Sequence, residues 1–116
     1  MFDLARIESM NLIESGQLDL YYDLVTDTLR TYLGARYNFP AIDMTTDEMV
    51  SALGGQLRKL DLKDSVVVML RESDLVKFAK SAPDAARARD LIEESRRIVR
   101  ETAPTEVYTT TLENPK

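Results

Sequence analysis

Apolar side chains recur every three or four residues between Leu18 and Leu33, and this stripe constrains the fold more than any other feature of the chain. Val25 and Leu29 belong to the stripe, which continues for about four helical turns. A period of 3.6 residues is typical of an amphipathic helix that buries one face against its neighbours. The stripe therefore predicts a fold built by packing helices. Four tyrosines on or near it are predicted to lie in the core with their hydroxyls at the rim, the alternative being a stacking platform for a ligand. They are Tyr21, Tyr22, Tyr32 and Tyr37.

Two further helices are predicted in the first half of the chain. Helical spacing predicts a first helix over Phe2–Ser15. Gly16 is expected to end it, because glycine adopts the left-handed conformation of a helix cap at little steric cost. Thr45 and Glu48 have the spacing of a capping box, in which each side chain bonds to a backbone amide of the other residue. They predict a short helix over Thr46–Leu53.

The segment Asp61–Lys80 is predicted to be helical, but its sequence leaves two alternatives open. Three consecutive valines, Val66–Val68, also favour a strand, because β-branched side chains fit a pleated surface. In addition, Ser73 and Asp74 have the chemistry of a helix cap. If they act as one, Asp74–Lys80 forms a separate short helix.

The last helix is predicted to begin with Pro83 in its first turn and Asp84 beside the positive end of its dipole. It is predicted to run to Thr102. The complete prediction is an all-α protein: a compact bundle of about five helices in one domain, residues 1–102, followed by a flexible C-terminal tail, residues 103–116. A further helical turn is expected over Gln56–Leu60, between the short third helix and the Asp61 helix.

The chain lacks several of the side chains that most often form active sites. The chain has no His and no Cys, so it lacks imidazole bases, thiolate nucleophiles and the common zinc ligands. Asp43, Asp47 and Glu48 could in principle supply a pair of catalytic carboxylates, but nothing in their spacing makes them converge. We therefore predict no enzymatic activity, no cofactor and no metal. The absence of Cys fits a reducing, cytoplasmic compartment.

The charge of the chain argues against nucleic acid as a partner. Its net charge is −5, and residues 1–45 carry seven acidic side chains against three basic ones. Nucleic-acid binding requires a basic surface that neutralises phosphates. The predicted last helix is the exception, since it is rich in arginine, although acidic residues are interleaved and favour a solvated face with ion pairs. An alternative function is therefore a small helical regulator that binds nucleic acid or another anion through Arg87, Arg89, Arg96, Arg97 and Arg100.

Several short motifs recur together in one known kind of domain. In order and spacing, the runs Tyr21–Leu24, Leu29–Leu33, Ala35–Ala41, Thr45–Glu48 and Asp74–Lys80 resemble the cytoplasmic helical domain of certain bacterial membrane-anchored proteins. Those proteins are found beside MoxR-type AAA ATPases and von Willebrand factor A proteins, in gene clusters of the Bat (aerotolerance) type. The similarity covers most of the predicted helical domain.

The resemblance implies a cellular location and a protein partner rather than a catalysed reaction. Domains of this kind have no established catalytic residues, and they follow an exported region and a transmembrane helix in their relatives. The expected function is a non-catalytic adaptor, on the cytoplasmic side of a bacterial membrane protein or complex, that binds an AAA ATPase or a von Willebrand factor A protein. The polar positions that flank the most specific motifs are the predicted partner-binding residues. They are Arg36, Asp43, Asp47, Asp74, Lys77 and Lys80.

Overall fold

The structure, a computed structural model, describes residues 3–57 and 60–103, with the backbone alone at Leu60. Within these ranges the chain forms α-helices and one 3-10 helix and contains no strand, which confirms the predicted all-α class. The predicted tail lies outside the described residues from position 104 onward. The elements are α1 (Leu4–Ser9), α2 (Leu18–Tyr37), the 3-10 helix (Ala41–Asp43), α3 (Thr46–Leu53), α4 (Leu60–Phe78) and α5 (Ala85–Thr102).

Helix α2 is the centre of the fold because it contacts α1, α4, α5 and the 3-10 helix. Side chains in the middle of its predicted stripe are fully buried, with Val25, Leu29 and Leu33 at most 1% exposed. Tyr21 and Tyr22 are also buried, as predicted, and belong to the same continuous hydrophobic core. The apolar stripe predicted from the sequence is therefore the face of α2 that packs into the core.

The end of α2 brings the 3-10 helix close to the bundle. Asn38 closes α2 in the left-handed conformation (φ 62°) and donates its backbone N–H to the Gly34 carbonyl. Glycine is required at position 34 because the chain after α2 passes close to its Cα atom. A Cβ atom there would lie 2.7 Å from the Phe39 carbonyl oxygen and 3.0 Å from the Ala41 Cβ. The absence of that atom allows the 3-10 helix to pack against α2.

The predicted first helix is too long. Helix α1 ends at Ser9, because Asn11 adopts the left-handed conformation (φ 54°) and breaks the helical run that was expected to reach Ser15. Asn tolerates this conformation better than most residues. The turn that follows returns Leu12 to the core, where it is 4% exposed. Phe2, the predicted start, lies outside the described residues.

The capping box of α3 is confirmed. The Glu48 backbone N–H donates to the Thr45 hydroxyl at 3.1 Å, and the Thr45 N–H donates to the Glu48 carboxylate at 2.8 Å. Helix α3 occupies the predicted range. The helical turn predicted after it includes residues 58 and 59, which lie outside the described residues.

Helix α4 is continuous, so the strand alternative and the separate short helix are both wrong. Ser73 is buried inside α4, and its hydroxyl lies 3.2 Å from that of Thr26 on α2. The Asp74 carboxylate accepts a hydrogen bond from the Thr46 hydroxyl of α3 at 2.7 Å, so it joins two helices rather than capping one. These tertiary partners override the local capping signal.

The start of α5 differs by two residues from the prediction. Asp84 is the N-cap, since its carboxylate accepts the backbone N–H of Arg87 at 2.9 Å. Pro83 therefore precedes the cap instead of occupying the first turn. The helix ends at Thr102, as predicted.

Candidate functional site

The six predicted partner-binding residues do not form one surface. Arg36 lies at the end of α2, where its Nε donates to the Thr102 carbonyl at 2.6 Å and its guanidinium stacks 4.9 Å from the centre of the Tyr37 ring. It thereby satisfies a free carbonyl at the end of α5, a group that has no partner within the helix. Arg36 is a structural clamp between α2 and α5.

Asp47 and Asp74 connect α3 to α4. Asp47 forms an ion pair of 3.1 Å with Arg71 across the surface, with both side chains more than half exposed. Asp74 receives the Thr46 hydroxyl as described above. Exposed ion pairs contribute about 0–1 kcal/mol each, so the buried packing of α3 dominates its attachment. Both carboxylates nevertheless border the same side of α4.

Lys77 and Lys80 line one depression at the end of α4, whereas Asp43 lies on the 3-10 helix. Lys77 forms an ion pair of 2.9 Å with Asp23 of α2. Lys80 adopts the left-handed conformation (φ 56°) just beyond α4, and the next residue, Ser81, donates its N–H back to the Leu75 carbonyl. This hydrogen bond turns the chain back onto the end of α4, so Lys80 has a conformational role there. Asp43 is exposed on the 3-10 helix.

A cleft of about 440 Å³ lies between the middle of α2, the second half of α4, the 3-10 helix and the start of α3. Asp74 and Lys77 line it, together with Asp27 and Arg30 of α2. Arg30 donates to the Met44 carbonyl at 2.8 Å, so its charge holds the connector in place. Burial, reinforced by the neighbouring carboxylate of α2, raises the pKa of Asp27 above its ordinary value. Lys77 and Arg30 oppose that rise.

Asp47 and Glu48, two of the carboxylates weighed as an acid–base pair, have separate partners in Arg71 and the Thr45 amide. Over residues 3–57 and 60–103, no three acidic side chains lie close enough together to hold a metal ion. The polar groups of this region act mainly as helix caps and bridges.

Four arginines of α5 are paired with carboxylates of α1, α4, α5 and the turn after α1. Arg87 binds Glu72 of α4 and Glu94 of its own helix, in both cases at 2.9 Å. Arg96 binds Glu8 of α1 at 2.6 Å. Arg97 pairs with Asp61 of α4, and Arg89 with Glu14 at 3.6 Å. This surface is the solvated, ion-paired face that the interleaved charges predict.

The largest departure from an ordinary helix surface lies on the outside of α4. Val68 is 55% exposed, Leu75 53% and Phe78 78%, although all three are apolar. They point away from the core side of the same helix. Ile42 of the 3-10 helix is 72% exposed and lines the cleft together with Phe78. We call these four residues the outer α4 face.

A shallow groove follows the outer α4 face on the side of α5. Its volume is about 740 Å³, and Val67, Val68 and Leu75 line its floor. Arg87 and Glu94 of α5 form part of its edge. Scattered exposed apolar residues are common on proteins, but a row of them beside a groove is typical of an interaction site.

Sequence reasoning missed this face, although the signal was present. The same valines that suggested a strand indicate, on a helix, that apolar side chains occupy more than one side. A helix apolar on two sides requires a second covering surface beyond its own core. The predicted residues Asp47, Asp74 and Lys77 lie around the outer α4 face and not on it, because the motif argument selected polar positions only.

Among the described residues, no helix combines the length and apolar character needed to cross a membrane. No protein-family model, curated protein or solved structure matches the chain. The resemblance to the Bat-type helical domains consequently stays a prediction from the motifs. The geometry of the outer α4 face is the observation on which a functional proposal has to rest.

Proposed function

We propose that the protein is a non-catalytic docking module that binds another protein through the outer α4 face. One observation carries the proposal: Val68, Leu75 and Phe78 follow the outer side of α4, Ile42 lies beside Phe78 at the cleft, and the four residues are 53–78% exposed. Water-exposed apolar surface gains nothing for the folded monomer. Covering it by a partner is favourable.

The magnitude of the apolar contribution fits moderate, reversible binding. Burying a Val, Leu, Ile or Phe side chain completely stabilises by about 1.5–3 kcal/mol, so covering the four exposed fractions supplies roughly 4–8 kcal/mol. Association costs about 4–15 kcal/mol in lost freedom of motion. The apolar row alone therefore gives weak binding, and polar contacts at its rim have to add to it.

Polar groups suited to such a rim surround the row. Asp74 and Lys77 lie beside Phe78 along the cleft, and the ion pair of Asp47 with Arg71 lies on the α3 side. Three of the six predicted partner-binding residues thus border the proposed interface. From the motif resemblance, we propose a MoxR-type AAA ATPase or a von Willebrand factor A protein as the partner, on the cytoplasmic side of a bacterial membrane.

Site-specific photo-crosslinking in the native cells tests the proposal. A photoreactive phenylalanine analogue replaces Phe78 in one variant and Leu20 of α2, which is 39% exposed and off the face, in the matched control. We expect a discrete adduct from position 78 that position 20 does not give. Adding Leu75→Glu to the Phe78 variant should abolish the adduct, because a buried charge beside it is costly.

Two outcomes would contradict parts of the proposal. Identical adducts from both positions, or an adduct that Leu75→Glu leaves unchanged, would remove the outer α4 face as the docking surface. A specific adduct with a protein of another class would retain the docking function and reject the proposed partner. Mass spectrometry of the adduct distinguishes these cases.

Binding of nucleic acid through α5 has weaker support. The guanidinium groups of Arg87, Arg96 and Arg97 are each engaged by two carboxylates of the protein. A phosphate would have to displace those carboxylates before it could bind. We therefore do not propose this second function.

A further inference from the structure

We propose that the partner presents an amphipathic helix to the outer α4 face, with lysine or arginine flanking its apolar stripe. This inference rests on the docking function proposed above and adds the chemistry of the segment that docks. Three features carry it: the spacing of the exposed positions, the groove beside them, and the excess of carboxylates around them.

The exposed positions of α4 have the spacing of a helix–helix seam. Asp64, Val68, Arg71, Leu75 and Phe78 follow one another at intervals of four, three, four and three residues. Alternating intervals of this kind keep one line of a helix facing a second helix. Val68 and Leu75 are two turns apart, about 10.5 Å along the axis, a distance that i and i+7 anchors of a docking helix match.

The shallow groove places charged side chains of α5 beside the apolar ones of α4. Val67, Val68 and Leu75 of α4 line it together with Arg87 and Glu94 of α5. A helix seated there contacts apolar side chains of α4 on one side and the charged edge of α5 on the other. This is the helix-in-groove mode of recognition, in which apolar anchors supply affinity and flanking charges fix the orientation.

The edge of the groove carries more negative than positive charge. Glu72 and Glu94 share the single guanidinium of Arg87, which leaves one negative charge uncompensated. Asp64 lines the groove and forms no ion pair with the residues that the structure describes. Asp74, which lines the cleft beside Phe78 and not the groove, has a neutral hydroxyl as its hydrogen-bond partner.

The basic side chains that border the face are already engaged. Arg71 pairs with Asp47, and Lys77 pairs with Asp23. A partner rich in Glu or Asp would therefore meet like charge, whereas one with Lys or Arg flanks would meet the uncompensated carboxylates. A second copy of this chain is also disfavoured, because it would bring the same carboxylates to both sides of the seam.

Binding of designed peptides to the full chain tests the inference directly. Three labelled helical peptides of roughly 18 residues, about five turns, are compared by fluorescence anisotropy. The first has a leucine stripe with Lys flanks, the second has the same stripe with Glu flanks, and the third has the composition of the first with its stripe scrambled. We expect the Lys-flanked peptide to bind at least about tenfold more tightly than either of the others.

Two glutamate variants separate docking from unspecific attraction. Leu75→Glu makes the protein more acidic, so simple charge attraction predicts tighter binding of the Lys-flanked peptide, while docking on an apolar anchor predicts a loss of about tenfold or more. Leu20→Glu adds the same charge off the face and should leave the affinity unchanged. Equal binding by Leu75→Glu and Leu20→Glu would overturn the inference.

A charge reversal at Asp64, the first position of the seam, tests the preference for basic flanks. Asp64→Lys should weaken the Lys-flanked peptide roughly three- to tenfold and strengthen the Glu-flanked one. If both peptides respond alike, the preference for basic flanks is wrong.

The remaining outcomes distinguish this inference from the docking function. Preference for the Glu-flanked peptide, or no peptide binding, would overturn the inference, while a Phe78 crosslink sensitive to Leu75→Glu would still uphold the docking function. Self-association in sedimentation velocity that Leu75→Glu abolishes would identify a second copy as the occupant and would also overturn the inference.

Discussion

Helices α4 and α5 are similar in length, 19 and 18 residues, but their surfaces differ. In α5 the apolar residues occupy one face, and arginine and glutamate side chains in ion pairs cover the other. In α4 apolar residues occupy both the inner face, including Val66 at 0% exposure, and the outer α4 face, including Val68 at 55%. The two helices therefore differ in how much of their apolar surface the bundle buries.

The comparison shows how folding and binding requirements can be separated in a helix. The surface of α5 is complete in the monomer, because its polar face is solvated and its charges pair with carboxylates of α1, α4 and α5 itself. The surface of α4 is complete only on its inner side. The apolar surface that remains exposed on α4 is not covered by the described bundle, and this is the basis of the docking proposal.

The largest expected effect comes from placing the same charge on the two sides of α4. Val66→Asp should cost about 4 kcal/mol or more, enough to remove most of the stability of a small domain, because it buries an unpaired carboxylate. Val68→Asp should change the free energy of unfolding by less than about 1 kcal/mol. Urea titration followed by circular dichroism measures both.

If Val66→Asp does not fold, Val66→Ala supplies the measurable counterpart. It should cost about 2 kcal/mol through lost burial and an unfilled cavity, against a few tenths for Val68→Ala. Equal costs at positions 66 and 68 would show that both sides of α4 support the fold and would end the comparison.

A smaller effect is expected from the ion pairs that join the two helices. Arg87 is 29% exposed and holds Glu72, which is 16% exposed and also accepts the Tyr22 hydroxyl at 2.8 Å. Arg87→Ala leaves that half-buried carboxylate without its cation and should cost about 1–3 kcal/mol. The matched control is Arg89→Ala, whose pair with Glu14 is 59% exposed on both sides.

The control should lose no more than about 0.5 kcal/mol, since exposed pairs contribute little. Thermal unfolding at low and high salt is the measurement. Equal losses in Arg87→Ala and Arg89→Ala would mean that the connection between α4 and α5 depends on apolar packing alone.

The fold was largely predictable from local patterns, and the site was not. The stripe on α2 and the capping box at Thr45 are signals in which a few neighbouring residues determine the structure, and both are confirmed. The predicted ends failed where a tertiary contact or a backbone conformation decided the outcome. Asp74 bonds to Thr46 on α3 instead of capping a helix, and Asn11 ends α1 early.

The outer α4 face was missed for a different physical reason. Periodicity identifies a buried side when polar and apolar residues separate, as they do on α5. On α4 the residues from Val66 to Leu70 are all apolar, so the pattern cannot say which of them face the core. That distinction depends on where α2 and α5 lie, which is a property of the assembled bundle.

Two tyrosine hydroxyls of α2 predict how the free energy of unfolding changes in alkaline solution. Tyr21 donates to the Ala88 carbonyl of α5, and burial, helped by the Glu8 charge, raises the pKa of Tyr21 to about 12. Burial and the hydrogen bond to Glu72 also raise the pKa of Tyr22. The Tyr21 hydroxyl thus holds α5 to α2, and the Tyr22 hydroxyl holds α4 to α2. Each hydroxyl must stay protonated to donate its hydrogen bond.

The sign of the pH dependence follows from the raised pKa. Between pH 10, the ordinary pKa, and about 12, the unfolded chain loses the Tyr21 proton more readily than the folded protein. The free energy of unfolding should therefore fall as the pH rises through this window. The free energy of unfolding of Tyr21→Phe should fall less steeply over the same window, when each protein is compared with its own value at pH 8. Parallel curves for the two proteins in urea titrations would reject this assignment.

The smallest expected effect on stability belongs to Leu75, and it tests the comparison most sharply. Leu75→Gln exchanges an apolar side chain that is 53% exposed for a polar one of similar length that is an equally good helix former. The free energy of unfolding should change by no more than about 0.5 kcal/mol. Binding through the outer α4 face should nevertheless weaken, because an apolar anchor at its centre is lost. A loss of stability above about 1 kcal/mol would mean that Leu75 supports the fold, and the outer side of α4 would then resemble its inner side rather than an interface.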